Sequence, residues 1–402
     1  MSRNFAGTQR WILNPNWMLM ALSALVVGLM ASRAQEPAGL KISKWADPSK
    51  MIPVSLAGFS GEAEAVLRFD LGIQGFSFVG PGEASYHITG GANGRVEGHV
   101  MEVSTKARIL NRAYSSGSMR VQAHAFADDI ILAVTGKKGI SLTRIAFKVD
   151  GGANNEIVVS DYDGFGAIRI TQDNALAFAP AWAPGRRWLY YTSYKLGNPD
   201  IFMHDVTTGE RHIVARYTGL NTGASVSPDG QRVAMVLSKA GSPDIYVADQ
   251  KGGNLVQLTR TREDESSPCW SPDGQMICYV SRLQGRPALY TISAAGGVAK
   301  RLPTPGVANA TEPDWSPDGK SIAFTTQRGG ASFEICVVSP TGTELRELVP
   351  GEDPSWGPNS RTIVFSRRSK GGRVLSLLDV PTKHVKDVKH ILGSCSQPSW
   401  AR

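Results

Sequence analysis

The sequence predicts a mainly β protein: a six-bladed β-propeller over residues 143–402, closed by its last strand, behind a small α/β domain over 51–142. Three observations predict it. A tryptophan-centred phrase returns at positions 182, 270, 315, 356 and 400, with Val226 in the remaining place, in steps of 44, 44, 45, 41 and 44. A fixed period near 43 residues marks a repeat array. Each phrase but the last is followed by a turn and three further short stretches of alternating character, which makes four strands per unit and hence propeller blades. The sixth phrase, QPSW at 397–400, is followed by only two residues.

Within each unit the order is regular. Pro-Asp-Gly, as in SPDG at 227–230, 271–274 and 316–319, sets a tight turn. Proline presets φ, aspartate bonds its own backbone and glycine accepts a positive φ. Second strands follow, such as MICYVS (276–281) and SIAFTT (321–326); then third strands, DIYVAD (244–249) and EICVVS (334–339); then fourth strands, NLVQLT (254–259) and ELRELV (344–349). The three strands missing after Trp400 stand ahead of the first full unit: RIAFKV (144–149), EIVVSD (156–161) and AIRITQ (167–172). The terminal strand is therefore expected to complete a blade begun by them, which removes an open edge.

Ahead of the repeats, 51–59 reads as a strand, 62–73 as an amphipathic helix and 119–136 as a second helix stopped by Gly136, with short strands between them. Residues 35–50 read as an extended arm. Residues 1–34 carry Arg3, Arg10 and Arg33, an apolar stretch of about 14 residues and a small-residue exit at Ala31–Ala34 in ASRA. This describes a secretory signal peptide, too short to span a bilayer, with cleavage near Ala34. Its removal leaves the chain near +5 rather than +8, and no basic run with interleaved aromatics suggests a nucleic-acid surface.

The residues offer no active site. Seven histidines lack metal-ligand spacing, no G-x-S-x-G elbow occurs, and the turn aspartates fit backbone capping better than calcium loops. No cofactor is expected. The repeated tryptophans read as packing between blades. Cys269 and Cys278 fall opposite each other across a hairpin, where a disulfide and a pair of buried thiols both fit. The loops that lead into the innermost strands vary and are polar, and Glu265, Glu312, Glu352 and Asp353 give that channel mouth an expected acidic bias suited to a basic partner.

The layout resembles the TolB family of the Tol–Pal system of Gram-negative envelopes. The most specific stretch is 125–166, AFADDIILAVTGKKGISLTRIAFKV followed by EIVVSDYDGFG. The resemblance implies a periplasmic, monomeric, non-enzymatic adaptor that binds a Pal-like peptidoglycan-associated lipoprotein and a TolA-like inner-membrane protein. It implies roles in outer-membrane integrity and constriction at division, and use in bacteriocin import. By the same resemblance the lead-in loops, with Asn221, Thr222, Asn309, Thr311 and Glu312, would meet the lipoprotein, and the arm, with Leu40, Ile42 and Trp45, would meet the TolA side. The alternatives are a propeller enzyme acting as hydrolase or lyase on an envelope glycan or peptide, and an exported propeller that binds another ligand.

Overall fold

The computed structural model describes residues 47–402 apart from 186, 330, 331 and 392; the signal-peptide reading and the arm residues Leu40, Ile42 and Trp45 lie outside the described residues. The first elements are β1 (Ile52–Ala57), α1 (Gly61–Ile73), β2 (Phe76–Phe78), β3 (Tyr86–Ala92), β4 (Val96–Glu102), β5 (Arg108–Tyr114) and α2 (Met119–Thr135). The five strands form one sheet in the order β2-β1-β3-β4-β5, parallel around β1 and antiparallel beyond it. The helices have local causes. The hydroxyl of Ser118 accepts from the Val121 N–H at the start of α2, and Gly136 ends it in the left-handed region at φ 71°. Val66, Leu67 and Leu71 of α1 and Phe126, Ile130 and Ile131 of α2 join Val54, Ile88 and Val100 of the sheet in one buried core.

Six four-stranded antiparallel sheets follow. Blades 1 to 5 occupy 177–215, 221–257, 265–301, 310–350 and 352–387. Blade 6 joins the chain's two ends: Ser394–Trp400 pairs with Arg144–Asp150, which pairs with Asn155–Asp161 and then with Ile168–Arg169. The fourth strands of blades 2, 3 and 6 are only two residues long, shorter than their alternation predicts. Trp182, Trp270, Trp315, Trp356 and Trp400 are all buried, in clusters that draw from neighbouring blades.

The register pairs Cys269 with Cys278 as the hairpin arithmetic predicts, but both are free thiols, as are Cys336 and Cys395. The first three pack with Trp315 and Phe324 in one apolar cluster, where a thiol serves as a small hydrophobe. Burial pushes the Cys269 thiol up, and the neighbouring Cys278 thiol adds to it.

The described residues all fall in one compact unit, so the α/β domain has a definite seat. It lies on the face of the Pro-Asp-Gly turns, over blades 5 and 6. There the Arg361 guanidinium, held by Asp379 at 2.5 and 2.9 Å, occupies space that a side chain at Gly75 would need: a Cβ there would stand 2.2 Å from it. Deeper in the junction, Asp70 of α1 accepts from Tyr162 Oη at 2.5 Å and pairs with His124 Nδ1 of α2 at 2.7 Å. Arg120 reaches Asp163 from the same helix. Tyr162 stacks on Trp400 with ring centroids 6.1 Å apart, and the Trp400 indole N–H donates to Thr143 Oγ1 at 2.8 Å.

Candidate functional site: the channel and the lead-in face

Each innermost strand carries the same irregularity. Its pairing with the second strand slips by a bulge, and one residue there adopts a left-handed backbone: Ala179 (φ 51°), Gly223 (63°), Ser267 (51°), Glu312 (54°), Asp353 (57°) and Gln397 (52°). For five of the six this conformation costs about 1–2 kcal/mol, so surrounding contacts must offset it. The extra residue re-aims the side chain. All six line a central cavity of about 550 Å³, which runs from this ring past the tryptophans to the prolines of the turn face.

The ring is joined by side chains along one arc. Glu312 Oε2 accepts the Asp353 N–H at 2.9 Å, Asp353 Oδ2 accepts the Gln397 N–H at 3.0 Å, and Gln397 Oε1 accepts the Ala179 N–H at 3.0 Å. Two residues further along each strand a second tier repeats this. Asp314 accepts the Trp356 N–H at 2.6 Å, Ser355 that of Trp400 at 3.1 Å, and Ser399 that of Trp182 at 3.3 Å. Among the described residues, no side chain at Gly223, Ser267, Ala181, Ser225 or Cys269 makes the corresponding bond. Arg402 reaches Asp314 and donates to the Trp315 and Trp356 carbonyls at 3.1 Å each.

Carboxylates in this wall are harder to ionise than free ones. Burial, and then the Asp353 carboxylate beside it, push Glu312 up to about 8 from an ordinary value of 4.5; burial raises Asp353 and Asp314 as well. A glutamic acid that stays protonated when folded but ionises when unfolded lowers stability as pH rises from about 4.5 to about 8. Glu312→Gln keeps an acceptor for the Asp353 N–H and cannot ionise. It is expected to leave the melting temperature near pH 4.5 unchanged and to raise it by about 2–4 °C near pH 8.5. Melting curves that stay parallel across that range would count against a protonated Glu312.

The site residues expected from sequence separate into three groups. Glu312 and Asp353 belong to the channel ring. Asn221 is wholly buried; its amide donates to the Pro199 and Tyr217 carbonyls while its oxygen accepts from the Tyr217 N–H, which fixes its own loop. Glu265 is buried and accepts from Thr261 and Ser281; Glu352 is buried and ion-paired with Arg373 at 2.6 Å. The expected acidic rim is therefore corrected: burying a carboxylate requires internal donors, which Glu265 and Glu352 find within the fold, while Glu312 and Asp353 line the channel rather than the outer rim. Thr222, Asn309 and Thr311 remain half-buried at the starts of the second and fourth inner strands. Sequence reading missed the ring itself, although its signal was present in the residue that precedes proline in each phrase around Pro180, Pro268, Pro313, Pro354 and Pro398. Among the described residues, no group of three or more histidines, cysteines or carboxylates could hold a metal ion, and no helix is long and apolar enough to cross a membrane.

Comparison with known proteins adds a family. Residues 132–402 match the family described as the TolB beta propeller domain. The Tol-Pal system protein TolB of Francisella tularensis subsp. tularensis (strain WY96-3418) is 35% identical over 130 residues, 30% of this chain and 29% of that protein. That of Desulfosudis oleivorans is 31% identical over 164 residues, 39% of this chain and 37% of that protein. The aligned region thus spans about a third of the length of these curated relatives. The crystal structure of TolB from Acinetobacter baumannii superposes with a TM-score of 0.81 at 23% identity, covering 88% of this chain and 98% of that one.

Proposed function

Because this chain belongs to the family of the TolB beta propeller domain, we propose that it is a periplasmic, non-enzymatic adaptor of the Tol–Pal system. On this reading it binds a Pal-like peptidoglycan-associated lipoprotein through the lead-in face of the propeller and a TolA-like inner-membrane partner through its N-terminal arm. Outer-membrane integrity, constriction at division and use in bacteriocin import would follow from those two attachments. The observation that carries the reading is the family match, which covers the whole six-bladed ring. The placement of the α/β domain supports the choice of face: it occupies the turn side, and among the described residues no domain covers the lead-in side. Loops on a rigid ring are suited to that work.

The test is a binding titration of the full chain against the soluble domain of the peptidoglycan-associated lipoprotein from the same cell. A one-to-one complex is expected. Thr311→Arg, which puts a bulky cation at the start of the fourth inner strand, is expected to weaken it at least about tenfold without lowering the melting temperature. No complex, together with turnover of an envelope glycan or peptide, would transfer the case to an enzyme. A complex indifferent to Thr311→Arg would reject this face.

A further inference from the structure

With Glu265 and Glu352 buried and Glu312 and Asp353 drawn into the channel ring, the lead-in face presents the opposite sign. This face is made of the links between blades and the turns between second and third strands. Lys239, Arg262, Arg282, Arg286 and Lys370 are exposed there and make no ion pair among the described residues. Arg216 stands 3.5 Å from the buried Asp200. The exposed acids opposing them are Glu263 and Asp264. Other charges on this side are already matched: Lys195 with Asp173, Arg328 with Glu334, Arg373 with Glu352.

Apolar side chains share this face with the cations. Leu176 (40% exposed), Tyr194 (36%), Leu196 (39%) and Leu283 (53%) lie in the same links and turns. Phe178 packs on Tyr194 with ring centroids 6.2 Å apart, and Lys239 sits 4.0 Å from the Tyr217 ring. Exposed leucines and unpaired cations on one face favour an occupant that brings both apolar side chains and negative charge. A bare polyanion would satisfy only half of that surface.

The geometry points to a docking surface on the lead-in face of blades 1 to 3 for an acidic protein segment with apolar anchors, the anchors set against Leu176, Tyr194, Leu196 and Leu283 and the acids against Arg262, Arg282 and Arg286. This rests on the lead-in face being the partner face and reverses the charge that the sequence alone suggests for it.

The test uses the full chain and three labelled 14-residue probes: one alternating glutamate with leucine and phenylalanine, the same peptide with lysine for glutamate, and polyglutamate. The acidic-apolar probe is expected to bind best, and its affinity to fall about tenfold in Arg282→Glu/Arg286→Glu and steeply with added salt. Leu196→Ser/Leu283→Ser is expected to weaken it as well, whereas Lys320→Glu, on the turn face, is expected to leave it unchanged. Equal binding of the lysine probe, or of the acidic probe to the double arginine variant, overturns the proposal; equal binding of polyglutamate overturns its apolar half and leaves a polyanion patch. A parallel titration with the peptidoglycan-associated lipoprotein separates the two readings. Lipoprotein binding unchanged by the arginine reversals sinks the acidic surface while the adaptor reading stands. Probe binding with no lipoprotein binding sinks the adaptor reading while the surface stands.

Discussion

A chain cut after Gly393 is expected to lose the cooperative unfolding of the whole propeller, not merely a few degrees of melting temperature. Residues 394–402 supply the innermost strand of blade 6, paired with Arg144–Asp150. They also supply Trp400, buried against Tyr162 and bonded to Thr143, and Gln397, whose side chain caps the Ala179 N–H. Arg402 adds bonds to Asp314 and to two carbonyls of blades 4 and 5. Loss of the tryptophan alone costs about 3–5 kcal/mol, and each buried backbone group left unpaired along Arg144–Asp150 adds about 1–3 kcal/mol. Their sum is comparable to the entire stability of an ordinary domain, about 5–15 kcal/mol. Calorimetry of the truncated protein should show a broad or absent transition and dye binding to exposed apolar surface. A sharp transition within about 5 °C of the full chain would mean that the ring does not depend on its closing strand.

The second large effect is expected at the junction. Asp70 is fully buried and has two partners, the Tyr162 hydroxyl and His124. Burial and the Asp70 charge keep the Tyr162 phenol protonated, so it remains a donor. Asp70→Ala leaves that hydroxyl and the imidazole without their acceptor inside a buried interface, a loss of about 3–5 kcal/mol by the behaviour of broken buried pairs. Asp70→Asn retains an acceptor and should cost less, about 1–2 kcal/mol. Denaturant unfolding measures the stability, and limited proteolysis of 136–143, which connects α2 to the propeller, reports undocking. If Asp70→Ala unfolds within about 1 kcal/mol of the wild type, with no new cleavage, the carboxylate does not hold the two domains together.

Much of this fold is legible in the order of residues, and the reasons are local. Turn chemistry and period-2 alternation lie within ten residues of each other, so SPDG and MICYVS announce a hairpin without tertiary knowledge. Closure by the terminal strand could be counted from strands missing at one end and present at the other. The end of the second helix was marked by Gly136. The site was less legible. Glu265, Glu352 and Glu312 sit in polar loop-like strings, and nothing adjacent in sequence tells that their partners are Ser281, Arg373 and the backbone of the next blade, 16 to 41 residues away. A bulge reverses the direction of a side chain by changing one φ angle, and period-2 reading has no means of registering that. The cations of the outer turns were visible one at a time, but their lack of partners became visible only once the acids had been placed.

The side-chain bonds around the channel run from Glu312 through Asp353 and Gln397 to Ala179, and the tier beneath follows the same arc. The molecule therefore resembles a clasp more than a hoop. The place where the two chain ends meet, ordinarily the weak point of a circular assembly, is the part riveted twice. The opposite side, between the strands of Gly223 and Ser267, lacks those rivets and is joined instead by the Trp270 indole N–H on the Ser225 carbonyl and by Arg232 on the Gly274 carbonyl, each at 2.9 Å. Pulled apart or heated, such a clasp should hold longest at its own fastening, and the seam where the two chain ends meet would be the last to admit solvent.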